Sequence, residues 1–228
     1  IFFPDWDAEL RAGFKQETEL LLESILREDR SILTLLDADY TFVNERLAKH
    51  YGIPNIYGSH FRRGELGPEL DYRRGILGQG SFLALTWAEN FRTSPVKRGV
   101  WVLENLLGTA PPAPPANVPA LEESGENQIT NLRDQMTMHR QNEPCATCHA
   151  IMDGIGFALE NFNADGKYRT EAGHPRQFGG SSSPVNSTVE LWDGTVATGP
   201  SGLRNQLLKY SPQFVRFAAE KLMTYGVG

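Results

Sequence analysis

The chain has 228 residues, 40% hydrophobic and 22% charged, a composition of folded proteins with cores to bury. Its 22 Lys and Arg stand against 28 Asp and Glu, a formal charge of −6 that divides evenly either side of residue 110. That balance argues against nucleic acid as a partner, since neutralising phosphates needs a basic face. No apolar run reaches the roughly 20 residues of a membrane helix, so no membrane span is expected in this segment. Two cysteines in one short motif exclude a disulfide framework.

Ile1 is not an initiator, and no basic and then apolar leader follows it. The expectation is that a signal peptide has been removed or that more chain precedes it. The ending on Tyr225-Gly226-Val227-Gly228, directly after an amphipathic run, suggests further chain there as well.

In chain order, a first helix is expected over about 5–30, where Trp6, Leu10, Phe14, Leu21, Leu22 and Ile25 form a stripe. A second covers about 41–51, with Val43, Leu47, His50 and Tyr51 on one face and Gly52 and Pro54 as its stop. Residues 55–80 read mostly as loop, and 76–88 as helix. Ser94-Pro95 starts another helix, with Val96, Val100, Leu103 and Leu107 on its face. Five prolines over 111–119 then force an extended path, a stiff spacer rather than a docking peptide. Beyond it, Ile129, Leu132, Met136 and His139 mark a helical face, and a short helix surrounds Cys145, capped by Asn142 with Pro144 in its first turn. Residues 163–200 read as a long structured loop with one small hairpin turn at 191–196. A short helix over 203–208 and a last one from Ser211-Pro212, facing inward with Phe214, Ala218, Leu222 and Tyr225, complete the chain.

Cys145-Ala146-Thr147-Cys148-His149 is a Cys-x-x-Cys-His sequence. The spacing suits two thiols that add across the two vinyl groups of a haem, with the next residue, His149, aimed at the iron. A thioredoxin-like dithiol would want a βαβ context, and a zinc site a second pair of ligands at finger spacing. One covalent haem c at Cys145, Cys148 and His149 is the expectation. Residues 128–228 follow the order of a small cytochrome c: motif helix, long loop, closing helix. The chain thus reads as all-α with long loops. An N-terminal helical domain spans 1–109, a Pro-rich linker 110–127, and a cytochrome c-like haem domain 128–228.

The string 142–149, Asn-Glu-Pro-Cys-Ala-Thr-Cys-His, with Met152-Asp153 and Gly156-Phe157-Ala158-Leu159-Glu160-Asn161-Phe162, resembles the planctomycete-type cytochrome c domain proteins. The stretches 40–52, Thr93-Ser94-Pro95-Val96-Lys97-Arg98-Gly99 and Glu220-Lys221-Leu222-Met223-Thr224-Tyr225 resemble the same family. These are large secreted bacterial proteins of mostly unassigned role. The resemblance implies a c-type cytochrome, with a periplasmic or extracellular location and further chain N-terminal to Ile1. Family members usually carry Asp-Pro where this chain has Asp153-Gly154.

A sixth iron ligand separates an electron carrier from a catalyst, since a closed iron shuttles electrons and an open one binds small ligands. His139, on an apolar face six residues before Cys145, is the distal candidate; the family also has His there. His50 is the alternative, although a packed core histidine is its plainer reading. No Met lies between Asp153 and Leu222, where a distal Met would arrive. Met152 reads as packing. Asp153, Glu160 and Asp165 read as helix charges and caps, and Arg62, Arg63, Arg73, Arg74, Arg92, Lys97 and Arg98 as a solvated face. The functional expectation is electron transfer within a larger extracytoplasmic assembly, to a redox partner protein or other subunits, in preference to catalysis. The alternatives are a peroxidase-like haem enzyme with an open sixth position, or an extracellular structural subunit stabilised by haem.

Overall fold

The structure, a computed structural model, describes residues 3–87, 93–112, 132–140, 143–172 and 183–227. The side chains of Leu132, Gln135, His139, Glu143, Pro144, Cys145 and Thr147 fall outside that description, as do Asn142 and the Pro-rich segment from 113 onward. Helix α1 spans Ala8–Arg27. Asp7 caps it by accepting from the Leu10 amide at 2.6 Å, and Leu10, Phe14, Leu21 and Ile25 form its buried stripe. A single turn, α2 (Thr34–Asp37), leads into strand β1 (Tyr40–Val43) and helix α3 (Glu45–Tyr51). Strand β1 pairs antiparallel with β2 (Arg62–Glu65), Tyr40 opposite Glu65 and Val43 opposite Arg62. Helix α3 starts at Asn44, which accepts from the Leu47 amide at 2.9 Å, and ends at Gly52 with φ 76°.

Two 3₁₀ turns, Pro68–Arg73 and Ile76–Gly78, precede the short helix α4 (Gly80–Leu85). Helix α5 (Pro95–Asn105) begins as expected at Ser94, whose hydroxyl accepts from the Lys97 amide. Then follow α6 (Leu132–His139) and α7 (Glu143–Ala158), which carries the Cys-x-x-Cys-His sequence. Strands β3 (Glu171–Ala172) and β4 (Ser183–Pro184) pair, as do β5 (Thr188–Glu190) and β6 (Val196–Thr198). The second pair closes through the expected turn, in which Asp193 accepts from the Thr195 amide and Gly194 adopts φ 78°. Helices α8 (Gly199–Lys209) and α9 (Ser211–Val227) end the described chain. No described helix is long and apolar enough to cross a membrane.

These observations correct the all-α expectation, for the fold is mixed, with three antiparallel strand pairs among the described residues. Thr41, Phe42 and Val43 are β-branched or aromatic residues. They enter a strand, and the helix waits for the Asn44 cap. Nor do the described residues form a cytochrome c haem fold. Helix α7 packs chiefly on α5, from before the Pro-rich segment, and the closing helix does not cover it. Phe214 is buried on α9, yet Leu222 is 55% and Tyr225 92% exposed.

The largest core cluster joins Leu36, Phe82, Leu83, Val102 and Leu103 to Met152, Ile155, Leu159, Phe162 and Leu203, residues from both sides of the Pro-rich segment. A second, with Leu10, Phe14, Val43, Leu47 and Tyr51, ties α1 to β1 and α3. At the α5–α7 contact a Cβ on Gly99 would overlap the Met152 carbonyl oxygen, and one on Gly156 the Pro95 carbonyl oxygen. Fully buried Arg98 donates to the carbonyls of Leu159, Phe162 and Asn163 at 2.7, 2.8 and 3.0 Å and pairs with Glu160 at 3.2 Å. Burial pulls its pKa down to about 10, which leaves it charged at neutral pH.

Glu17 is buried at the junction of α1, β1 and α3, accepting from the Thr41 hydroxyl at 2.5 Å and the Tyr51 hydroxyl at 2.6 Å. Burial outweighs these bonds and the nearby Arg73 guanidinium, raising its pKa from 4.5 to about 7.

Two predictions follow from this packing. Gly156→Ala should destabilise by about 1 kcal/mol, since overpacking costs ~1–3 kcal/mol and here exceeds the ~1 kcal/mol helix-propensity gain. Gly226→Ala, in open space on α9, should be neutral or stabilising; chemical denaturation of both variants checks the sign. The second concerns pH. The folded state holds the Glu17 proton more tightly than the unfolded chain, so stability falls as pH rises from about 4.5 to 7. The loss is on the order of 3 kcal/mol. Buried His50, its pKa held below the usual value by desolvation, acts with the opposite sign and loses stability as pH falls. The Glu17 contribution is therefore the difference between wild type and Glu17→Gln. Urea midpoints from pH 5 to 8 should show a more favourable slope with rising pH in the variant; parallel slopes would refute it.

Candidate functional site

The Cys-x-x-Cys-His sequence occupies the N-terminal half of α7. Its setting is fixed by two faces of that helix. Cys148, Met152 and Gly156 recur at four-residue spacing, one stripe, and Gly156 and Met152 are where α5 approaches. On another side a Cβ at Gly154 would crowd the Glu190 carbonyl oxygen at 2.6 Å, so glycine lets β5 lie against the helix. This is the position where the resembling family usually has Pro. A proline ring there would meet the same strand and remove a helical hydrogen bond.

Cys148 is a free, half-buried thiol packed against the largest core cluster. The next residue, His149, is 15% exposed, and its Nδ1 lies 2.9 Å from Oδ1 of Asp153, one helical turn on. A carboxylate only accepts, so Nδ1–H is the donor, and in the neutral ring the lone pair sits on Nε2. Asp153 is fully buried. Its Oδ2 has no hydrogen-bond partner among the described residues, and the nearest cation is Arg140, with Nε at 3.6 Å. Arg140 directly follows α6, which packs on α7 through buried Met136 and through Arg133, whose guanidinium lies 4.4 Å from the Phe157 ring centroid.

Of the sequence-derived candidates, the structure brings Cys148 and His149 together and adds Asp153 and Arg140, which the sequence reading missed as functional residues. The available signal was the four-residue spacing from His149 to Asp153. Cys145 lies on α7 and His139 ends α6; the side chains of both are outside the described residues. His50 sits elsewhere, buried between Phe14 and Tyr51, with its Nε2 2.7 Å from the Asp165 carbonyl oxygen. Met152 is buried as packing, while Met138, Met223 and His60 are exposed. The solvated-face reading fails for Arg73 and Arg98, which are fully buried.

Among the described residues no cluster of three or more His, Cys, Asp or Glu could hold a metal ion. A haem iron brings four ring nitrogens of its own and needs only axial ligands from the protein. A thiol beside an imidazole, with the imidazole oriented by a buried carboxylate, is a donor set that fits such a group.

Residues 73–172 match the PSCyt3 family, described as a protein of unknown function (DUF1588), and residues 2–53 match PSD4, likewise of unknown function (DUF1592). Both are names of planctomycete cytochrome c domains, in agreement with the resemblance read from the sequence. The PSCyt3 match runs through α5, the Pro-rich segment, α6 and α7, so it contains the whole candidate site. No curated protein and no solved structure matches the chain.

Proposed function

We propose that this chain is a haem c-carrying electron-transfer module of a larger extracytoplasmic assembly. The thioethers would form at Cys145 and Cys148, with His149 as proximal ligand. What supports the reading is the complete motif on one helix, with His149 oriented by the 2.9 Å bond to Asp153. When bound, the haem supplies an iron that takes up and releases one electron. The protein's part is to hold that group covalently, to aim the His149 imidazole, and to exclude water with the Met152 and Ile155 side of α7. Assembly of thioethers on a bacterial c-type protein takes place outside the cytoplasmic membrane, which is why a periplasmic or extracellular location belongs to the proposal. Partners would be a redox protein or other subunits of the same assembly.

His139 is proposed as distal ligand from its place in the chain, at the end of α6 and six residues before Cys145. His50 would first have to surrender its bond to the Asp165 carbonyl. One observation favours a second reading, a haem catalyst with an open sixth position. The buried carboxylate on His149 makes a more basic proximal ligand, which stabilises the oxidised metal.

Two outcomes test these assignments. Acidified acetone should leave the colour on the protein and pyridine haemochrome should return one haem per chain, lost in Cys145→Ala/Cys148→Ala. The haem-loaded full-length form should fractionate outside the cytoplasm. Haem that leaves with the solvent refutes the reading. For the sixth position, His139→Ala should convert a low-spin spectrum to high-spin and admit cyanide, while His50→Ala leaves it unchanged. A wild-type spectrum already high-spin would favour the catalyst instead.

A further inference from the structure

We infer that Asp153 is a positioning residue for His149 and that its charge, balanced by Arg140, sets the electron affinity of the site. The inference rests on the haem reading above and goes beyond it by assigning the residues that tune the group.

Among the described residues two carboxylates are fully buried, and they are satisfied differently. Glu17 has a hydroxyl donor on each oxygen, Thr41 on one and Tyr51 on the other. Asp153 gives Oδ1 to the His149 ring and keeps Oδ2 without a hydrogen bond, facing a guanidinium at 3.6 Å that is too far for one. A carboxylate placed only to stabilise the fold would be expected to saturate both oxygens, because burying a charge is costly. Here the hydrogen bond is spent on the imidazole. A carboxylate accepting from Nδ1–H shifts electron density into the ring and makes Nε2 a stronger donor. It also holds the ring plane in one orientation. A stronger axial donor favours the oxidised over the reduced iron and lowers the potential. Arg140, one-third exposed, works against this by drawing on the same carboxylate from its other oxygen. Its removal should let Asp153 act more strongly on His149.

The test uses holoprotein whose covalent haem has first been verified by haemochrome, so that loss of haem in wild type would count against the haem reading alone. Midpoint potentials are measured for wild type, Asp153→Asn and Arg140→Met. Asp153→Asn should shift to more positive potential by at least a tenfold change in the reduction equilibrium, about 59 mV for one electron. Arg140→Met should shift the opposite way. The iron–histidine stretch of the reduced protein, read by resonance Raman with each substitution placed in the His139→Ala background where the sixth position is open, should fall with Asp153→Asn and rise with Arg140→Met. A purely structural carboxylate, or a charge felt only through space, would not move that band. A haem-loaded Asp153→Asn with unchanged potential and unchanged band overturns the inference. Should that variant not fold, Arg140→Met still decides it: a rise in the band supports the inference and an unmoved band overturns it.

Discussion

Two glycines, Gly99 on α5 and Gly156 on α7, set the separation of the helices around which the largest core is assembled. Each removes a Cβ where the partner's backbone carbonyl already stands, so the two helices meet backbone to backbone and not through side chains. The segment that follows α7 is drawn into the core as well, and Arg98 satisfies three of its carbonyls, those of Leu159, Phe162 and Asn163. The rotation of α7 about its axis follows from the same contact. Gly156 and Met152 must face α5 and Gly154 must face β5, which leaves Cys148 on the α5 stripe two turns before Gly156. His149 and Asp153 lie together on the adjoining stripe. The geometry of the candidate site is therefore a consequence of helix packing one or two turns away.

Buried cations carry the connection from α5 and α7 to the N-terminal elements. Arg73 donates to the Gly78 carbonyl and, across the Pro-rich segment, to the Gly166 carbonyl, while its guanidinium lies 3.9 Å from the Tyr51 ring centroid. His50 takes the neighbouring Asp165 carbonyl. With Arg98, these side chains hold the 159–166 segment by its main chain, where substitution of the residues gripped changes little. A guanidinium is suited to this, being planar, rich in donors and weakly hydrated. Arg204 does the same on another side, binding the carbonyl and carboxylate of Asp71.

Local signals were legible in the sequence wherever the cause is local. The Ser94-Pro95 start, the Gly52 stop and the Asp193-Gly194 turn each depend on one side chain and its own backbone, and each is found. Strand β1 was not legible, because Val43 and Leu47 fit a helical stripe as well as they fit a strand followed by a capped helix. Only pairing with Arg62–Glu65 decides between them. Buried arginines were misread for a related reason. Apart from Gly78, five residues after Arg73, the carbonyls that surround Arg73 and Arg98 are distant in the chain: Leu159, Phe162, Asn163 and Gly166 arrive from more than sixty positions away. The motif itself was plain, yet its carboxylate partner passed as helix charge, although spacing alone could have joined the two. The exposed face of α9 has no such excuse in local pattern: its amphipathic stripe is real, and the described chain does not use it.

Perturbed titration is often taken as a pointer to function, and in this protein the carboxyl most clearly raised lies away from the candidate site. Glu17 has the carboxyl most clearly raised by burial, but both its oxygens are saturated by hydroxyls at a junction of α1, β1 and α3, and Tyr51 is itself fixed by the Gly80 amide. That arrangement stiffens a core. Asp153 is just as buried and is distinguished by its partner, a ring nitrogen of a residue that directly follows a thiol, and by an oxygen left without a donor. Desolvation raises the energetic stakes of a polar group without saying what the group is for. The chemistry of the donor decides that: Glu17 accepts from two hydroxyls inside a core, and Asp153 from the imidazole of a residue that follows a thiol.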